Sequence, residues 1–337
     1  MDEILPLGKL DIDFLSRLLE LYGMADDRVV VGARVGEDAT VIDFGDRYLV
    51  AKTDPITFTT EEIGWYAVNV NANDVATTGA IPRWFLVTLL LPEGKTDEAL
   101  VERIFAQLHS ACVALGISLC GGHTEITYDL GRPLLIGFML GEVERDRLVS
   151  TAGAQPGDSL LLTKGIAIEG TAIIAHEKAG ELAEKFPSDF LARCQDLLHK
   201  PGISVVREAR LAAEVARVHA MHDPTEGGLA NGLWEMALAA EVGMLIDEKA
   251  IPILPETARL CAEYGLDPLG LISSGALLMA LAPQDAPKVL ARLEEEGIKA
   301  ARIGQVVCKE EGVRFRGSGE KLPRFARDEL ARLFDKE

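Results

Sequence analysis

Cysteine is scarce in this sequence and is not arranged in pairs. The 337 residues include five cysteines, none of them in a C-x-x-C spacing. An odd and scattered set excludes the disulfide framework of a small secreted protein. We therefore expect a reduced, cytoplasmic protein, and the acidic start of the sequence, which has no apolar signal segment, agrees with that expectation. The cysteines are Cys112, Cys120, Cys194, Cys261 and Cys308.

Basic residues are also in deficit. Lysine and arginine number 34 against 53 acidic residues, so the net charge is −19. This balance disfavours binding to nucleic acid or to an anionic membrane, although a metal ion could still bridge the protein to an anionic ligand. The uncharged stretches 104–124 and 268–284 are interrupted by Gly, Ser, His or Gln. They predict buried core rather than membrane spans.

Three common catalytic signatures are missing. The sequence has no G-x-x-x-x-G-K-[ST] phosphate loop and no G-x-S-x-G nucleophile elbow. Its histidines and cysteines lack zinc-ligand spacing, and we read His123 near Cys120 as incidental. A nucleotide or metal site would therefore have to be built from other residues.

The length and the apolar patterning predict two domains. Hydrophobic residues make up 48% of the chain and charged residues 26%, as in an ordinary globular protein. Segments with strand and helix patterns follow one another in both halves, and the small-residue, turn-rich stretch Ala152–Gly157 separates them. We place a first domain at 1–150 and a second at 151–337.

Four polar clusters interrupt apolar sequence in the first half. Taken singly, each has an ordinary interpretation as a turn or as a buried hydrogen-bond network. Asp38, Asp54 and Asp74 each adjoin an apolar strand or helix, and converging carboxylates repel one another unless a cation neutralises them. Oxygen ligands suit Mg²⁺, which commonly joins carboxylates to phosphates. The clusters are "VGEDAT", "KTDPIT", "VNVNANDVATTGAIP" and "CGGHTEIT", of which the last predicts a strand entering a glycine loop.

The second half contributes "MHDPTEGGLANGLWEMA" and "LTKGIAIEGTAI". Asp223 could accept a proton from an attacking hydroxyl, and Glu226 could assist it. The alternative for Thr225 and Glu226 is that they simply cap the following helix. Lys164 is a candidate phosphate or substrate contact, with a surface lysine as the alternative.

Taken together and in this order, these motifs resemble the aminoimidazole-ribonucleotide (AIR) synthase superfamily over nearly the whole chain. The resemblance implies the α+β, PurM-like fold, with an N-terminal α/β domain that binds ATP and Mg²⁺ and pairs in a homodimer, and a C-terminal α+β domain that binds a small-molecule substrate. It implies that Asp38, Asp54 and Asp74 hold Mg²⁺ and that Asn71 orients the nucleotide. Gly121, Gly122 and Thr124 would lie against the nucleotide.

Within that superfamily the motifs predict a Mg²⁺-ATP-dependent kinase of a small-molecule hydroxyl. "IGWYAVNVNANDVATTGAIP" is similar to thiamine-monophosphate kinases, and α-ribazole of cobamide salvage is the candidate acceptor, with a thiamine-phosphate-like compound as the other. Glu226 stands where the hydrogenase-maturation carbamoyl dehydratases have Arg. Those enzymes also need a cysteine at the extreme C-terminus, whereas this sequence ends "ARLFDKE". The alternatives are ATP-dependent carboxamide activation and an inactive nucleotide-binding protein, the latter because His123 replaces a carboxylate.

Overall fold

The computed structural model describes residue 5, residue 10 and residues 12–24, 26–32, 37–57 and 59–334. The acidic start of the sequence is largely outside these ranges, as are residues 335–337. The helices are α1 (Ile12–Tyr22), α2 (Ile63–Thr77), α3 (Glu98–Leu115), α4 (Ile168–Glu177), α5 (Ala179–Ala183), α6 (Ser188–Asp196), α7 (Val206–Val215), α8 (Gly228–Ala239), α9 (Pro255–Tyr264) and α10 (Ala286–Glu295). The strands are β1 (Val29–Val31), β2 (Thr40–Asp43), β3 (Arg47–Ile56), β4 (Ile81–Pro92), β5 (Ser118–Thr127), β6 (Leu134–Glu144), β7 (Ser159–Thr163), β8 (Val218–His222), β9 (Gly243–Ile246), β10 (Leu278–Leu281), β11 (Ala300–Val307) and β12 (Val313–Phe315).

The strands form two mixed sheets of six. The first has the order β1-β2-β3-β6-β4-β5, in which only the β4–β5 pair is parallel. The second has the order β12-β9-β11-β7-β10-β8, in which only the β12–β9 pair is parallel. Mixed helices and strands in this arrangement confirm the predicted α+β fold. The two sheets come from separate halves of the sequence, and the boundary near residue 150 stays a prediction.

Helix α2 is the central element of the molecule. All of its residues except Trp65 are buried, and it packs on β3, β4 and β6 as well as on α3. It also reaches α7 and β8 of the second half. Glycines at 137 and 141 of β6 permit this close approach, because a Cβ at Gly137 would lie 2.3 Å from Asn71 Nδ2 and one at Gly141 would lie 2.4 Å from a Val75 methyl group.

The hydrophobic cores are continuous across the halves. The cluster beneath the first sheet includes Ile63 and Val68 of α2 together with Ile173 of α4 and Leu260 of α9. The second sheet has apolar clusters that include residues of α8 on one side and of α7 and α10 on the other. Within the described residues, no helix combines the length and the apolar character that a membrane crossing requires.

The glycine pair at 121–122 lies within a strand rather than a loop, which corrects the sequence-based expectation. Strand β5 runs through both residues at the edge of the first sheet. Gly121 and Gly122 have φ values of 151° and 144°, and a Cβ on Gly122 would collide with the Val87 carbonyl oxygen at 1.8 Å. Only glycine therefore lets β5 approach β4 at this point.

Candidate active site

Three carboxylates from distant parts of the chain meet between the two halves. Asp38 lies just before β2, Asp74 lies on α2, and Asp223 directly follows β8. One carboxylate oxygen of each lies within 4.8 Å of the others. Asp74 and Asp223 are buried and Asp38 is partly buried, so this cluster is not an ordinary surface group of acids.

Asp223 is the most informative member of this acidic cluster. It is 1% exposed, and neither of its carboxylate oxygens has a hydrogen-bond partner among the described residues. Burial raises the pKa of Asp223 well above its usual value, and the charges of Asp74 and Asp38 raise it further. A buried carboxylate without partners is strongly unfavourable unless something neutralises it. The donor set fits a divalent cation that prefers oxygen ligands, such as Mg²⁺.

Two basic side chains, Lys52 and His222, partly compensate the negative charge of the acidic cluster. Lys52 Nζ lies 2.9 Å from Asp74 Oδ2 and 3.5 Å from Asp54 Oδ2. Although burial opposes protonation of Lys52, the three aspartates around it raise its pKa above the usual value. Burial raises the pKa of Asp74 to about 7, against the opposing effect of Lys52. The raised pKa values of Asp74 and Asp223 therefore reflect negative charge that Lys52 does not fully compensate.

His222 contacts two carboxylates, those of Asp38 and Glu235. Its Nδ1 lies 2.8 Å from Asp38 Oδ2 and its Nε2 lies 3.0 Å from Glu235 Oε2 of α8. Burial alone would lower the pKa of His222, but Asp38 and Glu235 raise it well above its usual value. A charged imidazolium that donates to both carboxylates fixes the position of Asp38 at the cluster.

Two asparagines of α2, Asn71 and Asn73, bond to other elements of the fold. Asn71 is fully buried and donates through Nδ2 to the carbonyl oxygens of Ala67 at 2.9 Å and Asp54 at 3.3 Å. Asn73 donates to Ile203 O and accepts from Val205 N–H, both at 2.8 Å. These contacts form a buried hydrogen-bond network, but Asn71 Oδ1 has no hydrogen-bond partner among the described residues, so the orientation of a nucleotide by Asn71 stays a prediction.

The ammonium group of Lys164 is also bound to groups within the fold. It is 6% exposed, its ammonium lies 2.8 Å from Glu208 Oε1, and it donates to the carbonyl oxygens of Gly202 at 2.9 Å and Ser204 at 2.5 Å. An ammonium has only three donors, and these contacts occupy them. The structure does not bring Lys164 to the acidic cluster, so its predicted phosphate contact is not carried forward.

The predicted nucleotide contacts on β5 lie apart from the cluster within one chain. Asp54 pairs with Gly137, Gly137 with Val87, and Val87 with Gly122, in one row across the sheet. Two strands stand between β3 and β5, which separates Asp54 from Gly122 by roughly 14 Å at about 4.8 Å per strand. Gly121, Gly122 and Thr124 are exposed on this edge strand.

His123 is exposed on the same strand and lies 3.3 Å from Glu125. It does not occupy a ligand position beside Asp38, Asp74 and Asp223. The inactive-protein alternative rested on His123 in place of a carboxylate, and this placement removes that support within one chain.

A small cavity has in its wall Asp54, which shares the Lys52 ammonium with Asp74. Asp54, Thr225 and Glu226 line it, as does Glu169 of α4. Sequence reasoning missed Lys52, Glu235 and Glu169. Lys52 and Asp54 are two residues apart and share one face of β3, and Glu169 is a carboxylate within the otherwise apolar sequence "IEGTAIIA", so both carried a signal.

Comparison with known proteins identifies the family. Residues 36–143 match the family described as AIR synthase related protein, N-terminal domain, and residues 155–316 match its C-terminal domain. The chain belongs to the AIR synthase related family. This confirms the resemblance inferred from the motifs and places the chain in a family of enzymes.

Several relatives are hydrogenase-maturation proteins. The carbamoyl dehydratase HypE of Cupriavidus necator is 33% identical over 327 residues, covering 90% of this chain and 89% of that protein. A protein of Methanocaldococcus jannaschii with the name "putative hydrogenase expression/formation protein" is 30% identical over 290 residues, covering 84% of this chain and 83% of that protein. A crystal structure of HypE in complex with ATP matches with a TM-score of 0.71 at 26% identity, covering 96% of this chain and 100% of that one.

These relatives overturn the kinase prediction. The structure of thiamine monophosphate kinase from Aquifex aeolicus matches with a TM-score of 0.69, and the match covers 92% of this chain and 97% of that one. The sequence identity is 22%, so this match shows the shared fold alone. The relatives at 30–33% identity carry hydrogenase-maturation names instead. The kinase prediction, with its α-ribazole or thiamine-phosphate acceptor, is wrong. The kinase prediction was based on the sequence motif of α2. That helix is buried nearly throughout, so its sequence is determined by packing within the fold and does not indicate the substrate.

Proposed function

We propose that this chain uses Mg²⁺-ATP to dehydrate a carboxamide, the reaction class of the carbamoyl dehydratases that it resembles. The carboxamide oxygen attacks the γ-phosphorus of ATP and ADP leaves. Loss of both N–H protons and departure of the phosphorylated oxygen as inorganic phosphate convert the carboxamide to a nitrile. The observation that carries the proposal is the convergence of Asp38, Asp74 and Asp223. Within the described residues, the carboxylate of Asp223 has no hydrogen-bond partner.

The acidic cluster has a defined part in this reaction. Asp38, Asp74 and Asp223 would hold a divalent cation, which supplies positive charge to the phosphates when it is bound. His222 orients Asp38 through a 2.8 Å contact. This assignment makes Asp223 a cation ligand, in place of the proton acceptor expected from the sequence. A fully buried carboxylate between two others is better suited to a cation than to a mobile proton.

The second part of the site would bind the substrate. Asp54 lies 3.5 Å from Lys52, which also contacts Asp74, and it lines the cavity that Glu169 and Glu226 share. A substrate in this cavity would therefore be adjacent to phosphates held at the cluster. Proximity of this kind is what an in-line attack on the γ-phosphorus requires.

An oxygen-18 experiment tests the reaction directly. The purified chain is incubated with Mg²⁺-ATP and S-carbamoylcysteine labelled with ¹⁸O in the carbonyl group, and the phosphate is analysed by mass spectrometry. We expect ADP release that depends on the carbamoyl compound and ¹⁸O in the inorganic phosphate. Asp223→Asn should lower the rate by about 100-fold or more, whereas the exposed Asp196→Asn should not change it. Phosphate with unlabelled oxygen throughout would exclude the proposed attack.

We further propose that the chain acts as a homodimer formed by the outer face of its first sheet. This face carries partly exposed apolar residues along β4 and β6, opposite the face that α2 covers. Trp84 is 36% exposed, Phe138 40% and Ile81 48%. A contiguous apolar face of this kind favours burial against a partner surface.

A further inference from the structure

The ammonium group of Lys52 lies between two carboxylates of the site. Its Nζ lies 2.9 Å from Asp74 Oδ2 and 3.5 Å from Asp54 Oδ2. Lys52 and Asp54 share one face of β3, and Asp74 lies on helix α2, which packs on that strand. The side chain of Lys52 is 22% exposed and that of Asp74 is 5% exposed. The fold therefore holds this positive charge in place and largely removes it from water.

Asp54 is the carboxylate whose position needs an explanation. The sequence predicts it as a cation ligand, yet it is not among the three carboxylates whose oxygens lie within 4.8 Å of one another. Asp74 belongs to that acidic cluster and also contacts the ammonium of Lys52. Asp54 contacts the same ammonium and lines the small cavity. Lys52 therefore bridges Asp54 to the cluster, as a metal ion shared by two carboxylates would.

A lysine ammonium and a divalent cation cannot both lie between Asp54 and Asp74. A Mg²⁺ ion bound to both carboxylates would lie about 2.1 Å from an oxygen of each, in the space that the Lys52 Nζ takes. Two cations so close together would repel each other strongly. An ammonium carries three donors and suits carboxylates directly. Because it is part of the chain, no chelator removes it, and its charge does not depend on the magnesium concentration.

We propose that Lys52 is a built-in substitute for a second divalent cation, so that the protein binds a single cation, at the acidic cluster, in the absence of nucleotide. The proposal rests on the cation site of the proposed function, but it does not depend on the dehydration reaction. In this assignment Asp54 is the partner of Lys52 and not a metal ligand. Removal of the ammonium should therefore open a second cation position, with Asp54 and Asp74 as its ligands.

Titration of the full chain with Mn²⁺ in the absence of nucleotide, followed by EPR, tests the assignment, because Mn²⁺ favours the same oxygen ligands as Mg²⁺. We expect wild type to bind about one ion per chain and Lys52→Met, which removes the charge from an unbranched side chain, to bind about two. Lys52→Arg keeps the charge and should bind about one. Lys200→Met makes the same exchange at a side chain that is 84% exposed, and it should match wild type. Adding Asp54→Asn to Lys52→Met should abolish binding of the second ion.

Two results would overturn the assignment alone. One is the binding of a second ion to wild type, and the other is an unchanged count in Lys52→Met, with thermal unfolding to show that the variant is folded. Lys52→Gln gives the same test should Lys52→Met fail to fold.

The counts also separate this assignment from the proposed reaction. If they are as expected but no ¹⁸O reaches phosphate, the role of Lys52 stands and the reaction falls. If ¹⁸O reaches phosphate but Lys52→Met binds no additional ion, the reaction stands and the role of Lys52 falls. A wild type that binds no Mn²⁺ would remove the cation site itself, and both proposals with it.

Discussion

His222 connects Asp38 of the acidic cluster to Glu235 of helix α8. The two ring nitrogens lie 2.8 Å and 3.0 Å from these carboxylates, so both must carry protons for both contacts to be hydrogen bonds. Asp38 comes from the loop before β2 and His222 from the end of β8, which means that one contact joins the two halves at the site. The position of Asp38, the proposed cation ligand of the first half, therefore depends on a residue of the second half.

Replacement of His222 should weaken cation binding without removing any ligand. We expect His222→Gln to lower the Mg²⁺ affinity of the full chain by about 10- to 100-fold, because residues that orient ligands commonly have effects of that size. Isothermal titration calorimetry measures the change. His219→Gln is the control, since His219 pairs with Asp158 at 2.9 Å away from the cluster. Equal affinities for wild type and His222→Gln would contradict the orienting role.

Neutralising Asp223 should stabilise the protein while removing its response to Mg²⁺. The pKa of Asp223 is raised above 3.8, so folding takes up a proton and the free energy of unfolding falls as the pH rises above that value. Asp223→Asn removes this penalty, and its amide can donate to the neighbouring aspartates. In EDTA near pH 8 we expect a gain of about 1–2 kcal/mol by denaturant unfolding.

The same variant should lose the stabilisation that Mg²⁺ confers on wild type. Asp196→Asn, at an exposed site, is the control and should behave as wild type in both conditions. A variant that is less stable than wild type in EDTA would contradict the predicted cost of the buried carboxylate. A variant that Mg²⁺ stabilises as much as wild type would show that the carboxylate of Asp223 has no part in cation binding.

Cation affinity should depend on pH through Asp74. Burial raises the pKa of Asp74 to about 7, with Lys52 opposing the shift and Asp38 and Asp54 reinforcing it. Below that pH the carboxyl holds a proton that the cation must displace, so affinity should fall by up to about tenfold per pH unit. Calorimetry in two buffers of different ionisation enthalpy would detect proton release near pH 7. An affinity that is unchanged from about pH 6 to about pH 8 would contradict the expectation.

The acidic cluster was accessible from sequence because its chemistry is unusual. Carboxylates beside apolar strands and helices have few explanations, and Asp38 and Asp74 do converge as expected. The third expected ligand, Asp54, lies outside the group, and Asp223 takes its place. The role of the asparagines of α2 cannot be predicted from the sequence in the same way. An amide in an apolar helix looks the same whether it meets a ligand or a distant backbone, and Asn73 meets Ile203 and Val205, which lie 130 and 132 residues further along the chain.

The glycine pair shows a second limit. Gly121 and Gly122 predicted a loop because glycine permits turns, but here it permits close contact between neighbouring strands. That choice depends on β4, which becomes the neighbour of β5 only in the folded sheet. The order of several motifs predicted the family correctly. It did not predict which reaction within the family the chain resembles, because the motif compared with the kinases lies in the buried helix α2.

Asn73 should be a strong determinant of stability. Asn73→Ala leaves the carbonyl of Ile203 and the N–H of Val205 buried without their partners, across the contact between the two halves. We expect the free energy of unfolding to fall by about 2–4 kcal/mol, the cost of two unpaired backbone groups. Asn69→Ala is the control, since among the described residues Asn69 donates only to Trp65 O of the same helix, and it should cost less than about 1 kcal/mol. Equal losses in the two variants would contradict the joining role of Asn73.

The apolar outer face of the first sheet should hold the homodimer together. Phe138 lies opposite Leu86 in the β4–β6 register, near the middle of that face. A charge there would have to be buried without a partner in a dimer, so Phe138→Glu should give a monomer. Analytical ultracentrifugation should show about twice the chain mass of 36.4 kDa for wild type and the single mass for the variant. Leu238→Glu, at an exposed site of α8 in the second half, should remain dimeric, and a monomeric wild type at micromolar concentration would refute this interface.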